Sequence, residues 1–282
     1  MLVAQRRPLS TAMNWCLRRP SLVLGGFIVG VLVLAAAFAP WLAPADPYQQ
    51  NLMLSLMPPS AEHPLGTDAY GRDVLSRILY GARLSLLEIS LGVGVALIFG
   101  VPLGLVAGMS GGNIDGAIMW VMDIIFAFPG IILAILIVSI LGPSLFNMLM
   151  AIALFSLPVY ARLTRNLTLG LKRMEYVQAA QALGASRLRV MFDHILLNAL
   201  GPIIVQATLT AGTVVLTAAS LSFLGLGAQP PIPEWGAMMS DGRNYLGVAL
   251  WVSFFPGLAV TITVLGFNIL GDGLRDLLDP RR

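Results

Sequence analysis

Residues 20–45, 89–114, 124–161, 194–233 and 244–271 contain no Asp, Glu, Lys or Arg, in runs of 26, 26, 38, 40 and 28 residues. A helix needs about 20 apolar residues to cross a bilayer core of about 30 Å. Each short run therefore holds one span. The run 124–161 is interrupted by Leu141-Gly142-Pro143-Ser144 and holds two, while 194–233 ends in the turn chemistry of Gly225 to Pro231 and holds one. Only 11% of the residues are charged, against about 25% in soluble domains, and the mean hydropathy is +0.83. The expected fold is an all-α membrane protein of six transmembrane helices near 21–42, 86–109, 117–140, 145–162, 199–222 and 248–270.

The basic residues orient these spans. With the N-terminus inside, the inner segments hold Arg6, Arg7, Arg18, Arg19, Arg162, Arg165, Lys172, Arg173, Arg187, Arg189, Arg275, Arg281 and Arg282. The outer segments hold Arg72, Arg77, Arg83 and Arg243. Both termini are expected to be cytoplasmic. A cleaved signal peptide is the competing reading of the start, but the apolar stretch 22–39 is longer than the roughly 7–15 residues of a signal core. A net charge of +3 argues against a nucleic-acid partner. One cysteine, Cys16, excludes an intrachain disulfide, and with His63 and His194 it leaves little material for a zinc site.

The chain divides into a cytoplasmic segment 1–20, a first span 21–43, an extracytoplasmic loop 44–84 whose end (73–84) is helical, and a core 85–282. That core encloses an inner loop, 163–198, where function is to be sought. There, 174–184 reads as a short helix of strong formers that Gly184 stops at a C′ position. Ser186 caps a second helix over 187–197, with Leu188, Met191, Phe192 and Ile195 on one apolar face. Ala179, Ala180 and Ala182 allow close approach, so this loop suits a helix laid in another protein's groove. It equally suits a surface helix on the inner leaflet, its arginines near anionic headgroups.

The run Tyr176-Val177-Gln178-Ala179-Ala180-Gln181-Ala182-Leu183-Gly184-Ala185-Ser186, followed by His194-Ile195-Leu196-Leu197-Asn198, resembles the E-A-A…G loop of ABC-importer permeases. The similarity is to the dipeptide/oligopeptide (peptide/nickel) permease family, in its C-type subunit. It extends through His63-Pro64-Leu65-Gly66-Thr67-Asp68, Gly71-Arg72-Asp73, Gly81-Ala82-Arg83, Pro233-Glu234-Trp235-Gly236 and Gly271-Asp272-Gly273-Leu274-Arg275. The resemblance implies a type I importer permease in the plasma (inner) membrane of a bacterium, importing short peptides. Implied partners are a second homologous permease, one or two ABC ATPase subunits, an extracytoplasmic solute-binding protein, the peptide and membrane lipid. Nickel chelates, glutathione and oligosaccharides are alternative cargoes. Implied ATPase-coupling residues are Glu175, Tyr176, Gln178, Ala179, Ala180, Leu183, Gly184, Arg187 and His194. Gln178 stands where the motif often has Glu, keeping the length but not the charge.

The chain lacks its own engine. A P-loop needs Gly-Lys-Ser/Thr, and Lys172, the one lysine, follows Leu171. No cofactor is expected, ATP being bound by partner subunits. Gly108-Met109-Ser110-Gly111-Gly112 fits a G-x-S-x-G pattern and raises an intramembrane serine protease as a rival. Neither histidine is an obvious base for Ser110, so a Gly-rich turn is the plainer reading, with Gly100, Gly104 and Gly108 forming a packing stripe. Asp123, Phe128 and Pro129 are candidates for the translocation path, since a carboxylate in a membrane needs a cavity or a partner. A tie between helices is the alternative for Asp123. Glu88 is expected to be solvated near the outer interface, and Arg72, Asp73 and Arg77 to pair with one another or meet a docking protein.

Overall fold

The computed structural model describes residues 19–278. Arg6, Arg7, Arg18, Arg281, Arg282, Cys16 and most of the expected segment 1–20 lie outside the described residues. We number the helices α1 (Pro20–Leu42), α2 (Val74–Ser110), α3 (Gly112–Phe126), α4 (Gly130–Leu141), α5 (Leu145–Leu171), α6 (Glu175–Ala182), α7 (Arg187–Phe223), α8 (Trp235–Gly242) and α9 (Trp251–Leu278). Five of these are long and apolar enough to cross a membrane, and α3 with α4 make a sixth span if the bent pair counts as one.

The charge-free runs locate every span but understate its length, because helices continue into charged sequence beyond the apolar core. Asp73 starts α2, its Oδ1 accepting from the Ser76 N–H at 2.7 Å. At 37 residues this helix is roughly 55 Å long, well beyond the ~30 Å of a bilayer core. In the same way α5 runs to Leu171, α7 begins at Arg187 and α9 reaches Leu278. The expected third span is not one helix: α3 and α4 meet at 82°. Pro129 removes a backbone N–H and keeps Phe128 out of helical geometry, so the ladder breaks there.

Close packing rests on small residues, as it must where lipid gives helices no hydrophobic reason to associate. A Cβ on Gly100 would lie 2.8 Å from that of Tyr160, and one on Gly108 2.6 Å from that of Thr168. Between them, Gly104 abuts the Ala161 carbonyl. Thus α2 and α5 touch backbone to backbone. Helix α1 lies against α9 by the same device: Gly25 abuts Leu270, Gly266 abuts Ile28 and Gly273 abuts Leu22. The buried centre joins α2, α5, α7, α8 and α9 through Val74, Met148, Ile152, Tyr160, Leu221, Trp235 and Val260.

Candidate functional site

The inner end is built around α6. Its closing turn is a Schellman motif: the Gly184 N–H donates to the Gln181 carbonyl and the Ala185 N–H to that of Ala180, both at 3.0 Å. Gly184 takes φ 87° to do so. Tyr176, Ala179 and Leu183 are exposed, with Ala180 part-exposed on the same side, and Leu183 is 89% accessible. Val177 is buried and anchors the helix on Leu105, Val190 and Ile195. The Gln178 amide donates to the Arg173 carbonyl at 3.2 Å, and Glu175 is exposed in the first turn.

Ser186 accepts from the Arg189 N–H at 3.3 Å and opens α7. The expected 187–197 helix does not end before the next span; it is the beginning of that span. Over Val190–Leu196 the winding is π rather than α. The expected apolar face is kept only in part, with Ile195 buried and Met191 packed against the same small core. In a π-helix the repeat lengthens to i→i+5, so Val190 and Ile195 are buried while Leu188 and Phe192 are 65% and 50% exposed. His194 lies in the π stretch, half-buried, its carbonyl accepting from Asn198 at 2.6 Å.

Ser110 ends α2, and its hydroxyl receives an Arg187 N–H at 3.1 Å. A guanidinium cannot serve as a base. Among the described residues no histidine is hydrogen-bonded to Ser110, and His63 bonds Asp73 at 2.9 Å. The Lys172 ammonium donates to the Gly108 carbonyl at 2.7 Å.

Asp123 of α3 meets Arg162 of α5 at 2.5 Å, and the guanidinium lies 4.4 Å from the Phe126 ring centre. Arg165 takes Asp115 in a fork of two hydrogen bonds. Two ion pairs thus tie α3 to α5, and both side chains of the Asp123 pair remain well exposed. Phe128 and Pro129 occupy the exposed corner of the α3–α4 bend.

The outer end departs from expectation. Glu88 is not solvated; it is 1% exposed, and its Oε1 has no hydrogen-bond partner. It lies on the small-residue face of α2, between Ser85 and Gly92, and within electrostatic reach of Glu234. Glu234 caps α8 by accepting from the Gly236 and Ala237 N–H groups at 2.9 and 2.7 Å. Burial pushes its carboxyl above the usual range, against the pull of those two donors. Trp235 packs over Gly81 and donates to the Ile78 carbonyl at 3.1 Å.

Nor do Arg72, Asp73 and Arg77 pair with one another. Arg72 binds Asp68 at 2.6 Å and approaches Asp241 at 3.6 Å. Arg77 donates to the carbonyls of Pro47 and Pro231. All three are at most 2% exposed, so they close the outer loop over the helices and offer nothing to a docking protein. Asp241 is also pushed up by burial, with Arg72 and Arg77 opposing. The signal for this network was the run Asp68 to Arg77 itself, four charges within ten residues next to an apolar span.

A bundle of long apolar helices with a short exposed helix on its basic side defines a multi-span membrane protein. Residues 100–282 match the family described as the binding-protein-dependent transport system inner membrane component, and residues 13–59 match the N-terminal transmembrane domain of oligopeptide transport permease C. The chain belongs to this family of bacterial ABC-importer permeases; it is a multi-pass inner-membrane protein and not itself an enzyme. It is 51% identical to the dipeptide transport system permease protein DppC of Alkalihalophilus pseudofirmus, over 92% of this chain and 85% of that one. Against the probable D,D-dipeptide transport system permease protein DdpC of Escherichia coli the identity is 46%, over 95% and 90%. Against the glutathione transport system permease protein GsiD of Pectobacterium atrosepticum it is 46%, over 94% and 88%. Among solved structures, an inward-facing MetNI methionine ABC transporter chain superposes with a TM-score of 0.57 at 19% identity, covering 72% of this chain and 96% of that one. That likeness concerns the fold alone.

Proposed function

We propose that this chain forms half of the translocation path of an importer for short peptides, and that α6 couples it to a separate ATPase. The observation that carries the reading is the exposed side of α6. Tyr176, Ala179, Ala180 and Leu183 form a small, partly apolar surface on a helix held rigidly from behind by Val177 and closed by Gly184. A groove in a partner would take that surface as a knob. Glu175, Gln178, Arg187 and His194 flank it. Movement of α6 would pass directly into α7, because only the turn 183–186 separates them. Binding of ATP in the partner pair would rock the spans and open the path alternately to each side.

A second permease completes the path, and a solute-binding protein delivers cargo to the outer mouth. The names of the relatives, which refer to dipeptides, D,D-dipeptides and glutathione, support a peptide-like cargo over nickel chelates or oligosaccharides. We assign the bend at Phe128 and Pro129 to the lining of the path, with Asp123 holding the α3 arm on Arg162.

Purification in a mild detergent with mass spectrometry of the co-purifying chains tests the assembly. A second six-span permease and one or two P-loop ATPases are expected, and recovery of the chain alone would overturn it. Competition of labelled dipeptide uptake by unlabelled peptides, glutathione and a nickel chelate tests the cargo. Peptides should compete best.

A further inference from the structure

A cavity of about 460 Å³ opens at the inner end of the bundle, lined by Met109, Lys172, Arg173, Gln178, Gln181, Ala185, Arg187 and Val190. We propose that it binds the phosphate of an anionic phospholipid headgroup.

Three cations face the cavity, and no carboxylate lies within ion-pair distance of any of them among the described residues. Asp115, which does feel the charge of Lys172, is already taken by the two-pronged bond from Arg165. Two of the cations are aimed rather than loose: Lys172 is tethered to the Gly108 carbonyl and Arg187 to the Ser110 hydroxyl. The side facing α6 adds the amides of Gln178 and Gln181, which are neutral donors and acceptors. Gln178 in place of a carboxylate is what leaves the site with a charge of +3 and no internal counter-ion.

The cavity sits where headgroups are. Met109 belongs to the last turn of α2, and Lys172 follows the last residue of α5, so both mark the inner ends of spans. Basic pockets between helices at that level take lipid phosphates. The site borders the proposed ATPase contact, with which it shares Gln178 and Arg187, but not the knob that would enter the partner. Gln178 and Gln181 point from one side of α6, whereas Tyr176, Ala180 and Leu183, spaced i, i+4 and i+7, occupy another. One short helix thus has one side for protein and one for lipid.

The experiment is native mass spectrometry of the full importer, released from nanodiscs that contain either phosphatidylglycerol or only phosphatidylcholine. The wild-type complex should retain phosphatidylglycerol preferentially. Lys172→Gln and Arg187→Gln should each weaken retention about fivefold, the effect of one cation near an anionic surface. Gln178→Glu, which places a carboxylate inside the cavity, should weaken it at least as much. Arg189→Gln removes an equal charge from the same face but outside the cavity and should change nothing. Should Arg187→Gln fail to accumulate, Arg173→Gln replaces it, since that side chain holds no other element.

Equal retention of both lipids, or retention unaffected by the cavity variants, would overturn the proposal. Inorganic phosphate, titrated into complexes in phosphatidylcholine alone, distinguishes the source of the anion. If it reproduces the thermal stabilisation given by phosphatidylglycerol, the site serves a soluble anion and the lipid assignment is wrong. If the full chain alone retains the lipid but the assembled complex excludes it, the cavity belongs to the ATPase contact instead.

Discussion

Glu88 and Glu234 are two buried carboxyls with opposite degrees of support. Glu234 has two backbone donors and closes a helix, while Glu88 has an oxygen that meets none. An unsatisfied buried polar group costs about 1–3 kcal/mol. Replacing Glu88 with Leu, which fills similar space without a polar atom, should therefore raise the unfolding temperature of the purified complex, and an unchanged or lower value would refute that account. Glu234→Gln should lower it, because an amide has one acceptor oxygen for two N–H donors; loss of a cap costs about 0.5–2 kcal/mol. The pH dependence has a definite sign. With the Glu234 carboxyl raised above its unfolded value, the folded state binds the proton more readily. Its stabilising contribution is complete below the ordinary carboxylate range and is lost as pH rises through the raised value. Subtracting the Glu234→Gln melting curve from that of the wild type, across acidic to neutral pH, should show this decline.

At the scale of elements, α2 and α5 behave as one beam. Gly104 has no room for a side chain beside the Ala161 carbonyl, so Gly104→Leu must force the helices apart. Membrane levels of the variant should collapse, whereas Gly94→Leu, at a position with open space around it, should be tolerated; immunoblotting of membranes decides. The closing turn of α6 offers a subtler test. Gly184→Ala must hold a left-handed backbone, at a cost of roughly 1–2 kcal/mol. Uptake should fall while the amount of chain in the membrane stays constant.

Element existence was legible in the charge-free runs because burial in lipid leaves no room for charge. Element continuity was not: the helices read at 73–84 and 187–197 are the first turns of the spans that follow them, because charged residues such as Arg77 and Arg187 continue a helix as readily as they end one. Ser186 and Gly184 could be read as start and stop because their chemistry is local. The burial of Glu88 depended on what α8 brings against α2 from some 150 residues away, and the π winding of Val190–Leu196 shifts a face that α periodicity predicts. Neither has a local signature.

At the scale of the molecule, the outer surfaces of the spans are apolar with little interruption. Phe27, Ile98, Trp120 and Ile140 are 69%, 67%, 66% and 75% exposed. Lipid covers part of this surface, and a second permease is expected to cover the rest. Co-expression of that permease should therefore lengthen the half-life of this chain in a pulse-chase measurement. A half-life independent of the partner would mean that lipid alone suffices.

The seating of α1 on α9 sets a schedule for synthesis. Gly25 leaves the ribosome long before Gly266, Leu270 and Gly273, the residues and neighbours that cover this face. At about 5–20 residues per second the wait is roughly ten to fifty seconds. Throughout it the first helix must stay in the membrane by its own apolarity, with lipid tails standing in for its partner. The newborn chain is therefore open along the seam between α1 and α9 until α9 has been made, and that seam is where a membrane chaperone or a protease would meet it.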